Sequence, residues 1–264
     1  ALPIIACKKS LALSATPKRS DRLEKILHWF MGDIMYKSKK ETNENVLVKI
    51  YKYNLNDEKY REYKLPFTGE VNRPKTLKKI GKFKKRNKFT IKILKEIMME
   101  PGRKVLVLSD RIEHLELLKK RLDDKFFATS DFYIGGRKQK DLDEAEKCQI
   151  LLGTFSMASE ALDIPDLNTL IMVTPRRNIE QSVGRILRRK DHPVQPLIVD
   201  IVDQLKSFVR QGMARRGFYR KNKYQIKLID VEDNIIHSEE DITDKSDKKK
   251  LYIPVNNEDV DFID

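Results

Sequence analysis

Short, wholly apolar runs alternate along this chain with longer segments whose apolar residues recur every three or four positions. Val105-Leu106-Val107-Leu108, Ile150-Leu151-Leu152, Leu170-Ile171-Met172-Val173 and Leu197-Ile198-Val199 carry no polar interruption, which predicts strands buried on both faces. Phe132-Tyr133-Ile134 reads as a further buried strand. Ile112, Leu115, Leu118 and Leu122 share one helical face, with Ser109 or Asp110 as cap and Glu113 completing a capping-box pattern. Leu23, Ile26, Leu27 and Phe30 predict an earlier helix, capped by Ser20 or Asp21 and stopped at Gly32. Val46, Val48 and Ile50 alternate with other residues, which predicts an exposed strand extended by Tyr51 and Tyr53. Phe89, Ile93, Ile97 and Met98 place an amphipathic helix at the end of a lysine-dense stretch. Buried strands separated by helices predict an α/β fold, a parallel sheet covered by helices on both faces. No apolar run approaches the ~20 residues of a membrane span.

In sheets of this kind ligands sit at the carboxyl ends of the strands, so the residues after each run carry the chemistry. They are Ser14-Ala15-Thr16, Ser109-Asp110-Arg111, Gly135-Gly136-Arg137, Gly153-Thr154 and Thr174-Pro175-Arg176. Hydroxyls, glycines and arginines at helix starts are the parts of phosphate-backbone sites, although each alone also serves as an ordinary cap. Gln181, Arg185 and Arg188 follow at spacings of four and three, on one helix face. Gly184 leaves room beside Arg185, and paired guanidinium groups suit a triphosphate. The competing reading is an ordinary basic surface helix.

The 264 residues suffice for one large domain or two small ones. Lysine and arginine number 54 against 40 carboxylates, a net charge of +14. From Val231 onward eleven acids face four lysines, so that stretch carries −7 and the remaining body +21. Such a body points to polyanionic partners. Cys7 and Cys148 are too few for a disulfide framework, and His28, His114, His192 and His237 make no metal-binding pattern. The lysine run from Lys78 to Lys88 reads as a nucleic-acid contact or a solvated face. In the basic segment from Arg210 to Tyr224, Phe218 and Tyr219 are expected to pack onto the sheet. His28 and Trp29 are expected in core or lobe-contact roles.

The ensemble resembles the C-terminal RecA-like lobe of superfamily 2 helicases. Ser14-Ala15-Thr16 is similar to that superfamily's motif III, Val105 to Arg111 to motif IV, Gly153 to Pro165 to motif V, and Gln181 to Arg188 to motif VI. The likeness spans roughly residues 10–225. It is nearest to the helicases of large DNA viruses, of poxvirus and asfarvirus type, and their phage relatives. One departure is Ala161, where the family pattern usually has glycine. The resemblance implies ATP and magnesium held mainly by the other RecA-like lobe, with Arg185 and Arg188 as arginine fingers. Gln181 couples the cleft, Asp163 meets the ribose, and Gly184 lines the nucleotide site. Ser109, Arg111, Gly136, Thr154 and Arg176 contact the backbone of one strand, of DNA in preference to RNA. Ser14 and Thr16 relay between ATP state and lobe closure. The implied domains are the end of a first lobe (1–36), the second lobe (37–230) and a partly ordered acidic tail (231–264).

Two decoys are set aside. The segment 69–76 has a phosphate-loop frame, but Pro74 replaces a glycine and offers no N–H. Asp143-Glu144-Ala145-Glu146 imitates a magnesium motif but follows a polar run and comes after motif III, where the family places it before. The chain is therefore expected to be the C-terminal half of an intracellular helicase, cytoplasmic if viral, acting in viral transcription or replication, and unable to hydrolyse ATP alone. The competing functions are an annealing or remodelling translocase and a non-catalytic nucleic-acid module.

Overall fold

The computed structural model describes residues 11–13, 24–36, 45–160, 162–186 and 192–243; the side chains of Glu24, Glu160, Arg185 and Ile186 lie outside the description. The chain divides into two units, residues 1–41 and 42–264. The first holds α1 (Glu24–Met31), which stops at Gly32 with φ +78°. Gly32 donates back to the His28 carbonyl at 2.9 Å, so a glycine free of the left-handed penalty closes the helix as expected. Trp29, expected in a core or lobe-contact role, is 77% exposed.

The second unit runs β1 (Leu47–Asn54), α2 (Arg73–Gly81), α3 (Lys84–Met98), β2 (Val105–Ser109), α4 (Ile112–Asp123), β3 (Ser130–Tyr133) and α5 (Gln139–Ala145). It continues with β4 (Ile150–Thr154), α6 (Phe155–Glu160), β5 (Thr169–Met172), α7 (Glu180–Ile186), β6 (Leu197–Asp203), α8 (Lys206–Lys221), β7 (Gln225–Glu232) and β8 (Ile235–Asp241). One sheet forms in the order β3-β4-β2-β5-β6-β1-β7-β8, parallel throughout except for the final antiparallel strand. This is the parallel α/β sheet that the apolar runs predict.

Alternation along each strand splits the core into two layers. Leu106 and Leu108 join Leu142, Ala158, Val183 and Tyr219 on one face of the sheet. Val105 and Val107 join Leu77, Phe89, Leu94, Leu115 and Leu118 on the other. Both faces are thus covered by helices. Tyr219 is buried and Phe218 packs partly buried against the first layer, as the sequence predicted.

Four local expectations are corrected. β1 is not exposed: it lies between β6 and β7, its tyrosines Tyr51 and Tyr53 are buried, and Lys52 is neutralised by Asp230. β3 is the sheet's edge and only half buried. The capping box does not form, because Arg111 is the N-cap of α4 and Glu113 turns outward to Lys78 at 3.2 Å and Lys82 at 3.6 Å. The acidic stretch begins inside the sheet, since Val231 belongs to β7 and pairs with Ile236 of β8. Residues 244–264 lie outside the described residues.

Candidate nucleic-acid interface

Because seven strands run parallel, their carboxyl ends share one edge. Register places Ser109 beside Thr154, and Tyr133, just before Gly135 and Gly136, beside Gly153. The turn after β5 follows immediately on the other side of β2. The structure therefore brings the expected Ser109, Arg111, Gly136, Thr154 and Arg176 segments to one edge.

Their side chains are not equivalent. Ser109 has no exposed surface; its hydroxyl accepts from the Arg111 N–H at 3.1 Å and lies 3.3 Å from His114 Nδ1. It fixes the start of α4 from within the sheet. His114 Nε2 lies 3.0 Å from Asn87 Oδ1, and Asn87 donates to the Gly81 carbonyl at 2.8 Å. With Nε2 carrying the proton, this chain ties β2, α4, α3 and α2 together. Burial, reinforced by the charge of Arg86, pushes the His114 imidazole down to about 3, so it is neutral.

Arg111 is exposed at the head of α4. Gly136 is exposed with φ +84°, and Arg137 folds back onto Asp131 at 3.0 Å and the Phe132 carbonyl at 2.5 Å. Thr154 is half buried, 3.2 Å from Ser156 Oγ at the head of α6. Arg176 is 48% exposed, 3.3 Å from Asp110 and 5.7 Å over the Phe155 ring.

The segment carrying Arg176 is held from both faces of the sheet. Asp200 and Asp203 of β6 point to opposite layers, and each is fully buried. Asp200 accepts from Arg215 Nε and Nη2, both at 2.8 Å, and from the Tyr219 hydroxyl at 3.0 Å. Asp203 accepts from Arg86 Nε at 2.5 Å and Nη2 at 2.9 Å, with Tyr60 also bound to it. Each arginine then reaches the same turn: Arg86 donates to the Val173 carbonyl at 2.8 Å and Arg215 to the Arg176 carbonyl at 2.6 Å. Arg73 donates to the carbonyl between them, that of Pro175, at 3.3 Å, and the Asp110 N–H donates to Thr174 Oγ1 at 2.8 Å. Burial opposes the charge on Arg86 and Arg215, but the adjacent carboxylates outweigh it and raise both above the ordinary guanidinium value. The turn is thus preorganised, at the cost of two buried ion pairs.

Sequence reasoning missed this clamp. Arg86 lies within the lysine run and Arg73 within the segment that has a phosphate-loop frame, and neither pattern marks a clamping arginine. That decoy is instead the start of α2, where Asn72 Oδ1 accepts from the Lys75 N–H at 3.0 Å and a proline occupies the first turn.

The nucleotide side is less fully described. Gln181 and Gly184 are exposed on α7, which Ile179 and Val183 anchor in the core. Among the described residues nothing lies within 4 Å of where a Cβ would stand at Gly184. Arg185 falls one helical turn after Gln181 in α7. Asp163 is exposed between α6 and β5. Ser14, Thr16, Ala161 and Arg188 lie outside the described residues. Among the described residues no group of three His, Cys, Asp or Glu side chains could hold a metal ion.

A sheet of this order, with arginines and helix starts gathered at its carboxyl edge, is a RecA-like fold. Residues 85–190 match the family described as the helicase conserved C-terminal domain. It is 34% identical over 257 residues to a protein of Acanthamoeba polyphaga mimivirus named as an ATP-dependent RNA helicase, covering 95% of this chain and 49% of that protein. It is 26% identical over 235 residues to a protein of Escherichia phage T5 named as a helicase, covering 85% of this chain and 50% of the other. An African swine fever virus protein named as an ATP-dependent RNA helicase is 34% identical over 94 residues, 35% of this chain and 18% of that one. The chain spans about half the length of the first two relatives. Among solved structures, T4 UvsW superposes with a TM-score of 0.55 at 16% identity, over 72% of this chain and 42% of that one. Dbp5 of S. cerevisiae, solved with RNA and ADP BeF3, gives 0.53 at 10% identity, over 82% and 50%.

Proposed function

We propose that this chain is the second lobe of an ATP-dependent nucleic-acid motor, a helicase or translocase working on one strand at a time. The observation that carries the reading is the clamped turn at residues 173–176, which presents Arg176 beside Arg111, Gly136 and Thr154 on one edge. Contacts of that kind hold phosphates and carry no base preference, as a motor requires. Hydrolysis of ATP is the energy source. Gln181, Gly184 and Asp163, all exposed, fit a polar ligand approaching α7, and Arg185 and Arg188 act as arginine fingers. Magnesium is assigned to the other lobe. The resemblance to helicases of large DNA viruses favours DNA, whereas the mimivirus and African swine fever virus relatives are named as RNA helicases; matched DNA and RNA tracking strands decide between them.

The test uses the complete protein. Arg185→Ala and Arg188→Ala should each lower single-turnover hydrolysis by about 10³ to 10⁵ while largely sparing ATP affinity. Arg189→Ala, off that helix face, should do far less. Equal damage from all three would make the helix a generic basic surface, and hydrolysis without strand separation would favour an annealing or remodelling translocase.

A further inference from the structure

The strand edge does not absorb the basic surface of α3. That helix begins at the edge, where Arg86 meets Asp203 and Val173, and runs away from it toward the start of β2. Along it Lys88, Lys92 and Lys95 recur at spacings of four and three, on one face. Arg121 and Lys125, at the end of α4, join them in lining a groove of about 710 Å³. Arg111 heads α4 at the edge and Arg121 lies ten residues on, about 15 Å away at 1.5 Å per residue. The groove therefore reaches well down the helical face.

Its charge is unbalanced. Lys88, Lys95 and Lys125 are exposed and Arg121 is half buried, and none of the four pairs with a carboxylate among the described residues. Lys92 reaches only Glu96, at 4.0 Å. The lining acids are Asp124 and Asp233. A concave surface with excess positive charge focuses its field on an anionic ligand. Phe127 lines the groove, and its neighbour Phe126 is 89% exposed, an aromatic face on which a base can stack.

We propose that this groove is a second nucleic-acid contact, holding the backbone of a single strand that continues from the strand edge down the face of α3 and α4. This rests on the reading of the chain as part of a nucleic-acid motor. A single strand, unlike a folded acidic protein, offers the evenly spaced charge and free base faces that a lysine ladder with an exposed phenylalanine matches.

The experiment measures binding of a long single-stranded oligonucleotide to the 264-residue chain as a function of salt. Lys88→Gln, Lys95→Gln and Lys125→Gln together should make the log–log slope shallower by about 2, at about 0.7 per phosphate contact. A charge-matched control, Lys59→Gln, Lys64→Gln and Lys221→Gln, should leave the slope unchanged. Arg111→Ala with Arg176→Ala should reduce it separately, and the two sets should add. All these side chains are exposed, so melting curves should match wild type. If the groove variant behaves like the control while the arginine pair still acts, the groove is overturned and the edge stands. If the control weakens binding as much as the groove variant, the effect is general charge and the proposal fails. If the unaltered chain shows no salt-dependent binding, the motor reading itself fails. Retained oligonucleotide binding with lost binding to phosphatidylserine vesicles would overturn the proposal in favour of a membrane surface.

Discussion

The clamp beneath Arg176 can be taken apart one charge at a time. Replacing Arg215 by Met leaves Asp200, which has no exposed surface, with the Tyr219 hydroxyl in place of two further charge-assisted bonds. Replacing Asp200 by Leu leaves a buried guanidinium whose described remaining partner is the Arg176 carbonyl. Breaking a buried pair from either side costs about 3–5 kcal/mol, a large share of the roughly 5–15 kcal/mol that holds a domain folded. Independent losses would sum to about 6–10 kcal/mol. The double variant removes both charges, and leaves the Tyr219 hydroxyl and the Arg176 carbonyl short of partners, at about 1–3 kcal/mol each. It should therefore be no less stable than the worse single variant. Urea denaturation of all four proteins, followed by circular dichroism, measures the cycle. Strict additivity, or single losses below about 1 kcal/mol, would refute the view that the pair is one electrostatic unit. The double variant should also bind oligonucleotide more weakly than its recovered stability suggests, because the turn's carbonyl has lost its donor.

Three other outcomes follow from the packing. Because His114 lies far below its ordinary 6.5 when folded, the unfolded chain binds the extra proton as pH falls from 6.5 toward 3. Stability should fall through that window by up to about 1.4 kcal/mol per pH unit, and His114→Gln should flatten this slope in pH-dependent denaturation; an unchanged slope would remove His114 from the account. Within α8 two glycines should respond with opposite signs. A Cβ at Gly212 would stand 2.8 Å from Val202 Cγ1, so Gly212→Ala should cost about 1–3 kcal/mol. At Gly217 nothing lies within 4 Å among the described residues, so Gly217→Ala should gain about 0.5–1 kcal/mol; matching signs in thermal melts would contradict the described approach of α8 to β6.

The layered sheet was legible because β2, β4, β5 and β6 are continuous apolar runs, a pattern that only double burial requires. β1 misled because Lys49 and Lys52 interrupt it, and the neutralising Asp230 arrives only with β7. The edge residues were found because they follow strands. The clamp was not, since Arg86 and its partner Asp203 are separated by 117 positions, and a buried arginine in a lysine run looks like its neighbours. Glu113 had the spacing of a cap, yet Lys78 of α2 and Lys82 at its C-cap compete for it.

The place of β1 bears on how the molecule comes into being. The strand opens the second unit but lies between β6 and β7, so both its neighbours are made after the block from β2 to β5. During synthesis, the block from β2 to β5 can assemble while β1 waits with two open edges and a row of buried-type side chains. Pairing over such sequence separations is slow, and an unsatisfied strand is prone to pair with other chains. Strands that emerge after that block therefore close the centre of the sheet and not merely its rim.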